Sequence, residues 1–464
     1  MIRFEHVHFQ YADADAGVTD VCLHVRRGEC VVLTGPSGNG KTTLTRLVNG
    51  LAPAFYAGQL SGSVKLDGRD LRAEPLWARG RLVGSVFQDP KSQFFSSQMA
   101  GEVAFACENY GLSHVEIVTR TDAAIRRFQL ESLRKRPLDV LSSGEKQRAA
   151  VASVYAMDPP IYVCDEPTAN LDEQGVCELR DALLRLKREG RTLLIAEHRL
   201  AWLMGVADRF VYIREGRLWW EKTPEEMLIM REEELEKLQL RSARQMEKTD
   251  LPLPGGNGEP AVFAEGLTCR RGGQRIWEDL RFAAWPGQVT AIAGRNGAGK
   301  TTLAKILAGL ERPSGGEIRL RGRKASPAQR RRHCWYSSND TGTQFFTPSV
   351  TEELLLGLPR TEEVLESARE LLKRFSLYAY KDAHPATLSG GQRQRLSIAC
   401  GLISGREILI LDEPTSGLDG GNMRIIAQAL RAEADRGKAA LVITHDEELI
   451  RACCDSRWEL ERAL

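Results

Sequence analysis

Two short apolar runs organise the chain: "CVVLTG" from Cys30 and "VTAIAG" from Val289, each closed by a glycine. A continuous apolar run between glycine signals reads as a buried strand rather than a half-exposed one. Behind each run the apolar positions change to helical spacing, at Leu44, Leu47, Val48 and Leu51, then at Leu303, Ile306, Leu307 and Leu310. Further apolar runs end in "YVCDE" and "LILDE", and again in "LLIAEH" and "LVITHD", with helical stretches between them. This alternation predicts α/β architecture with a mostly parallel sheet core and a helical insert in each half.

The two halves are copies. "GPSGNGKTTLTRLVNGL" matches "GRNGAGKTTLAKILAGL", "LSSGEKQRAA" matches "LSGGQRQRLS", and "YVCDEPTANLD" matches "LILDEPTSGLD". Lys300 lies 259 residues after Lys41, whereas Ser389, Asp412 and His445 each lie 247 after Ser142, Asp165 and His198. The second copy is therefore 12 residues shorter between its first two motifs. A first domain over 1–245, a linker over 246–260 and a second domain over 261–464 follow. "TPEEMLIMREEELEKLQL" predicts a charged, solvent-facing helix closing the first domain, with Thr223 as N-cap and Pro224 at its first position. "TDLPLPGGNGEP" reads as a flexible connector.

Composition narrows the class without naming it. Of 464 residues 42% are hydrophobic and 27% charged, and the formal net charge of +2 shows no global bias toward polyanions. Ten cysteines without a CxxC pair read as free thiols in a reducing compartment. The opening "MIRFEHVHFQY" has no long apolar core of the kind a secretion signal needs. No apolar run approaches the roughly 20 residues that span a bilayer, so a membrane role would come through partners. The basic run from Arg319 to His333 reads as an exposed, solvated edge before a strand.

Both "GPSGNGKT" and "GRNGAGKT" satisfy the phosphate-loop pattern G-x-x-x-x-G-K-[ST]. Gly35, Ser37, Gly38, Asn39 and Gly40, and in the second copy Gly294, Asn296, Gly297, Ala298 and Gly299, would curl the backbone so that its N–H groups face a phosphate chain. Lys41 and Lys300 would neutralise the β- and γ-phosphates, Thr42 and Thr301 would hold Mg²⁺, and Thr43 and Thr302 follow in the first helical turn. Asp165 and Asp412 end apolar strands and suit a Mg²⁺ contact, with Glu166 and Glu413 beside them placed to polarise an attacking water. His198 and His445 end the next strands at one common offset from the carboxylates. "SSGE" and "SGGQ" both fit the capping box, so each starts a helix whose N-terminus can also meet a phosphate.

Phosphate loop, LSGGQ-type motif, "DEPT", "LD" and terminal His, in that order and twice, resemble the ATP-binding cassette (ABC) ATPases. The resemblance implies ATP and Mg²⁺ as cofactors and two cassettes that close head to tail, each nucleotide between one phosphate loop and the other copy's LSGGQ helix. It adds Gln88 and Asn339 as Mg²⁺ or water contacts, Tyr11 and Arg271 as adenine-stacking positions, and Ser389, Gly391, Gln392 and Ser142, Gly144, Glu145 as γ-phosphate contacts. On this reading the set with Lys41 and Glu166 is complete. The set with Lys300 departs from the pattern at Ser143 and Glu145, at Asn339 in place of Gln88, and at Arg271 in place of Tyr11, and is expected to be the slower.

"FQDPKSQFFSSQMAGEVAFA" and "AEHRLAWL" further resemble energy-coupling factor (ECF) and cobalt-type transporter ATPases. In that group a second Gln followed by apolar residues, here Gln93, Phe94 and Phe95, repeated as Gln344, Phe345 and Phe346, lies next to the surface that couples to the membrane scaffold. The implied partners are a transmembrane scaffold (T component) and a substrate-binding membrane subunit (S component), at the cytoplasmic face of the membrane, with no nucleic acid. A soluble tandem-cassette ATPase acting on ribosomes or nucleic acid, and a DNA-repair ATPase, stand as the other classes. The cargo is not legible in a motor that does not touch it.

Overall fold

A computed structural model describes residues 1–12, 16–169, 171–271 and 274–460, with the side chains of residues 271, 274 and 343 left out. The chain divides into two compact units, Met1–Gln245 with Asp419–Gly421, and Met246–Leu418 with Asn422–Leu464.

In the first unit, β3 (Cys30–Thr34), β6 (Val83–Val86), β7 (Ile161–Asp165), β8 (Thr192–Ala196), β9 (Arg209–Arg214) and β10 (Arg217–Lys222) form one sheet in the order β10-β9-β3-β8-β7-β6. Every pairing is parallel except the β9–β10 hairpin. β3 and β8 are buried at every residue, as their unbroken apolar sequences require of strands covered on both faces. Val31 and Leu33 face one core, with the helix Lys41–Asn49; Val32 faces another, built with the helices Met99–Asn109, His114–Arg127 and Ser143–Ala156.

A second sheet was not legible in the apolar runs. β1 (Ile2–Tyr11), β2 (Gly17–Val25), β4 (Gly58–Leu66) and β5 (Arg69–Asp70) pair antiparallel in the order β2-β1-β4-β5. Their alternation of buried and exposed positions gives one face to the core and one to solvent.

The second unit repeats both sheets. β11 (Val262–Arg271), β12 (Gln274–Ala284), β14 (Gly315–Leu320) and β15 (Arg323–Lys324) are antiparallel. β13 (Val289–Ala293), β16 (Cys334–Ser337), β17 (Ile408–Asp412), β18 (Ala439–Ile443) and β19 (Ser456–Glu459) form an all-parallel sheet in the order β16-β17-β18-β13-β19.

Several local expectations are corrected. The helices behind the phosphate loops end at Asn49 and Leu307, so Leu51 and Leu310 lie beyond them; a left-handed Gly50 stops the first, and Leu310 is exposed. The charged stretch after Thr223 is two short helices, Pro224–Leu228 and Glu232–Lys237, not one solvated helix. Thr223 does cap it, in a full capping box with Glu226, but Met227, Met230, Leu235 and Leu240 are buried in the first unit's core. Within the basic run, Pro327–His333 is helical and Arg330 turns inward, its Nη1 donating to the Ala325 carbonyl. In the segment after Gln245, the Thr249 N–H donates to Glu447, Lys248 pairs with Glu459, and the Arg457 N–H donates to the Pro252 carbonyl.

Candidate functional site

The site begins where β3 stops. Gly35 adopts φ 137°, and a Cβ there would lie 2.1 Å from the Ile213 carbonyl oxygen on the neighbouring strand. Only glycine lets the chain leave the sheet so close to its neighbour. The loop returns through Gly40 at φ 101° into the helix Lys41–Asn49. Gly294 at φ 133° and Gly299 at φ 96° repeat the path in the second unit.

Lys41 is buried and crosses the loop, its Nζ donating to the Gly35 and Pro36 carbonyls at 2.9 and 2.8 Å. Burial lowers its pKa, partly offset by the Glu166 charge. Asn39 braces the loop, donating to Ser37 O at 3.1 Å and accepting from the Glu215 N–H. Thr42 Oγ1 donates to Asp165 Oδ1 at 3.1 Å. Burial and the Glu166 charge push the Asp165 carboxyl up to about 7. A half-buried hydroxyl–carboxylate pair of hard oxygen donors beside a phosphate cradle fits Mg²⁺, whose charge would keep that carboxyl ionised.

Glu166 sits one residue past β7, at φ 44°, with its N–H bonded to the Ala196 carbonyl of β8 at 2.8 Å. Its Oε2 accepts from Gln88 Nε2 at 2.7 Å, and its Oε1 lies 3.3 Å from His198 Nε2. His198 Nε2 is also 3.5 Å from Ser37 Oγ. Gln88, Glu166, His198 and the phosphate loop are therefore one connected polar cluster around a carboxylate able to take a proton from water. Tyr11 packs edge-on against Phe9, and its hydroxyl lies 3.2 Å from Thr43 Oγ1 and from Arg46 Nη1.

The second unit has the same parts in a different bonding pattern. Thr301 Oγ1 donates to Asp412 Oδ2 at 2.7 Å, and the Tyr336 hydroxyl donates to the same oxygen at 3.1 Å. Burial again raises the Asp412 pKa. Lys300 Nζ donates to the Gly294 and Arg295 carbonyls and lies 3.1 Å from His445 Nε2. Glu413, at φ 49°, is 3.9 Å from His445 and accepts from Thr444 Oγ1 at 3.3 Å. Histidine thus approaches the carboxylate in one unit and the lysine in the other. Asn339 and Gln88 each stand two residues beyond their strand, β16 and β6. The Arg271 side chain lies outside the described residues.

Ser142 and Ser389 cap the helices Ser143–Ala156 and Gly390–Ile403 with complete capping boxes. Glu145 folds back to accept from the Ser142 N–H at 2.8 Å, and Gln392 does the same for Ser389 at 2.8 Å. The two helix starts thus share one geometry and differ by one negative charge.

Four carboxylates escaped the sequence reading. Glu102 is buried and accepts from the Phe95 and Ser96 N–H groups, both at 2.8 Å, while Glu353 accepts from Phe346 and Thr347, both at 2.9 Å. Gln93 and Gln344 close the same loops by accepting from the Phe87 and Ser338 N–H groups. Phe94 and Phe345 pack against their cores, but Phe95 and Phe346 are 75% and 82% exposed. Glu197, buried inside "AEHRL", holds Thr168 Oγ1 at 2.6 Å and the His198 N–H at 2.8 Å. Its signal was a carboxylate next to a strand-end histidine; Asp446, on the far side of His445, holds Thr415 in the second unit.

A family model described as ABC transporter matches residues 18–169 and 277–416, one stretch around each phosphate loop. The chain belongs to this family. It is 37% identical over 464 residues to a protein of Treponema denticola provisionally named an ABC transporter ATP-binding protein, covering 98% of this chain and 94% of that protein. It is 32% identical over 486 residues, 98% of this chain and 89% of the relative, to a Bacillus subtilis protein provisionally named HMP/thiamine import ATP-binding protein YkoD. In fold it is similar to a chain in a model of ribosome-bound archaeal Pelota and ABCE1, with a TM-score of 0.70 at 24% identity over 98% of this chain and 76% of that one. As an ABC ATPase it carries two P-loop cassettes, and such cassettes bind ATP with Mg²⁺. No helix among the described residues is long and apolar enough to cross a membrane.

Proposed function

We propose that the chain is the ATP-hydrolysing motor of an ECF-type importer, driving uptake of a vitamin, metal ion or other micronutrient through separate membrane subunits at the cytoplasmic face of the membrane. The observation that carries this reading is the pair of Gln-Phe-Phe loops. In each copy a glutamine and a buried glutamate hold the loop, one phenylalanine anchors it, and the next stands exposed seven residues after Gln88 or Asn339. A large exposed aromatic on a rigidly held loop is a docking element more than a core residue. The Bacillus subtilis relative, named for import, supports the same reading along the full chain. The whole-chain likeness to ribosome-bound proteins is one of fold alone and leaves the soluble, ribosome-acting reading as the alternative.

In this reading Lys41 and Lys300 neutralise the β- and γ-phosphates, and the N–H groups of each glycine loop cradle them. Thr42 with Asp165, and Thr301 with Asp412, would hold Mg²⁺, which would supply positive charge beside the phosphate oxygens. Gln88 orients water at Glu166, which accepts its proton, while His198 fixes the Glu166 carboxylate and reaches toward the γ-phosphate. Ser389, Gly391 and Gln392 of one cassette, and Ser142, Gly144 and Glu145 of the other, complete the partner nucleotide when the cassettes close. T and S components are the membrane partners. The loops carrying Phe95 and Phe346 pass the closure on to the T component.

Affinity purification of the tagged chain from detergent-solubilised native membranes, with mass spectrometry, tests this. A multi-helix scaffold with a small hydrophobic partner is expected, and Phe95→Ala with Phe346→Ala should lose both while ATP still binds. Recovery only from the soluble fraction with ribosomal or DNA-binding proteins would overturn the importer reading.

A further inference from the structure

Away from both nucleotide sites, the solvent face of the β1–β2 hairpin gathers four side chains with metal-ligating atoms. The ligating atoms of His6, Asp20 and Cys22 lie within 4.8 Å of one another, and all three residues are exposed. His6 Nδ1 is 2.8 Å from Asp20 Oδ1, and the His6 N–H donates to Cys22 Sγ at 3.3 Å. His8, also exposed, accepts from the Asp20 N–H at its Nδ1, 3.3 Å away, and so orders the backbone that carries the carboxylate.

The duplication supplies an internal control. The pairing of β1 with β2 and of β11 with β12 aligns His6 with Gly266, His8 with Thr268, Asp20 with Asp279 and Cys22 with Arg281. The same bulge recurs in both hairpins, with φ 47° at His6 and 62° at Gly266, and φ 52° at both Asp20 and Asp279. The aspartate therefore belongs to the bulge itself. The two histidines and the cysteine belong to the first copy alone, with His6 on a left-handed backbone that glycine occupies at lower cost in the second. Cys22 is also the one exposed cysteine of the ten, the others being buried or half-buried.

We propose that His6, Asp20 and Cys22 form a site for a thiophilic divalent cation, Zn²⁺ by donor set, with water in the fourth position and His8 as a positioning residue. Imidazole, carboxylate and thiolate are the donors zinc takes in tetrahedral sites, and Mg²⁺ would not select the sulfur. The bound ion would join the two strands across their bulge, and binding would release the thiol proton.

The test is Co²⁺ titration of the tag-free, nucleotide-free full chain, followed by absorption spectroscopy. One equivalent should give a thiolate-to-cobalt charge-transfer band with the strong visible bands of a four-coordinate ion, and Zn²⁺ should displace it. Cys22→Ser and His6→Gly should each abolish the band, His8→Ala should weaken binding about tenfold, and all three should keep wild-type ATPase turnover. His6→Gly installs the residue that the second copy already folds with at this bulge, so loss of the band there reports ligation rather than misfolding. Absence of a thiolate band, or a band that survives either ligand variant, would overturn the proposal.

Discussion

The two cassettes use one strand-loop-helix plan and differ in what the terminal histidine touches. In the first, His198 lies 3.3 Å from Glu166, and Gln88 donates to the other oxygen of that carboxylate. In the second, His445 lies 3.1 Å from the Lys300 ammonium and 3.9 Å from Glu413, with Asn339 at the position of Gln88. Duplication preserved the backbone, including left-handed Glu166 and Glu413, and let the side-chain bonding around the carboxylate drift. The difference teaches that one set of motif residues need not make one set of contacts. We propose an unequal pair, with the Lys41/Glu166 site the faster.

Lys41→Ala should give the largest effect, a loss of nucleotide affinity of at least about 100-fold at the first site, because it removes the ammonium that bridges the loop carbonyls and that is proposed to neutralise the β- and γ-phosphates. Binding of a fluorescent ATP analogue measures it, and Lys300→Ala should leave that first phase intact. A common loss at both phases would erase the distinction.

Gln88→Asn copies the second cassette into the first. It removes the 2.7 Å bond to Glu166 and should lower turnover about tenfold, while Asn339→Gln should raise turnover or leave it unchanged. Steady-state ATPase assays of both variants decide this.

Asp165→Asn addresses stability instead. Above pH 7 the Asp165 carboxylate is ionised in the folded and unfolded chains alike, but only the folded chain has it buried. As pH falls below about 7 the folded protein takes up the proton first, so this penalty fades toward pH 4. In Mg²⁺-free, nucleotide-free protein the substitution should raise Tm at pH 8 by the equivalent of a few kcal/mol, on the order of 3, and much less at pH 5. A gain independent of pH would show that the buried charge is not its source. Glu145→Gln should act least, speeding turnover about two- to threefold at low salt, since its carboxylate keeps the same cap as Gln392 but adds a charge at the proposed γ-phosphate contact. An effect unchanged by salt would contradict that cause.

Much of this plan was legible because the informative signals are local. The apolar runs at Cys30 and Val289 gave the central strands, and the offset of 247 residues gave the duplicated carboxylate and histidine. What escaped depends on pairing at a distance. The antiparallel sheet joins strands whose alternation is interrupted by bulges at Glu5–His6 and Glu265–Gly266, which blur a period of two. Nothing local marks Glu102 and Glu353 as buried, for each takes two N–H groups of a neighbouring loop. Phe94 and Phe95 are alike as a sequence pair, and only packing separates the anchor from the exposed ring.

The inequality of the two sites is tested most directly by comparing the turnover of Glu166→Gln and Glu413→Gln chains, purified side by side and assayed at saturating ATP. Glu166→Gln should lose about 100-fold or more, and Glu413→Gln about twofold. Equal losses would contradict the account, for they would mean that both carboxylates serve hydrolysis alike despite the different contacts around them.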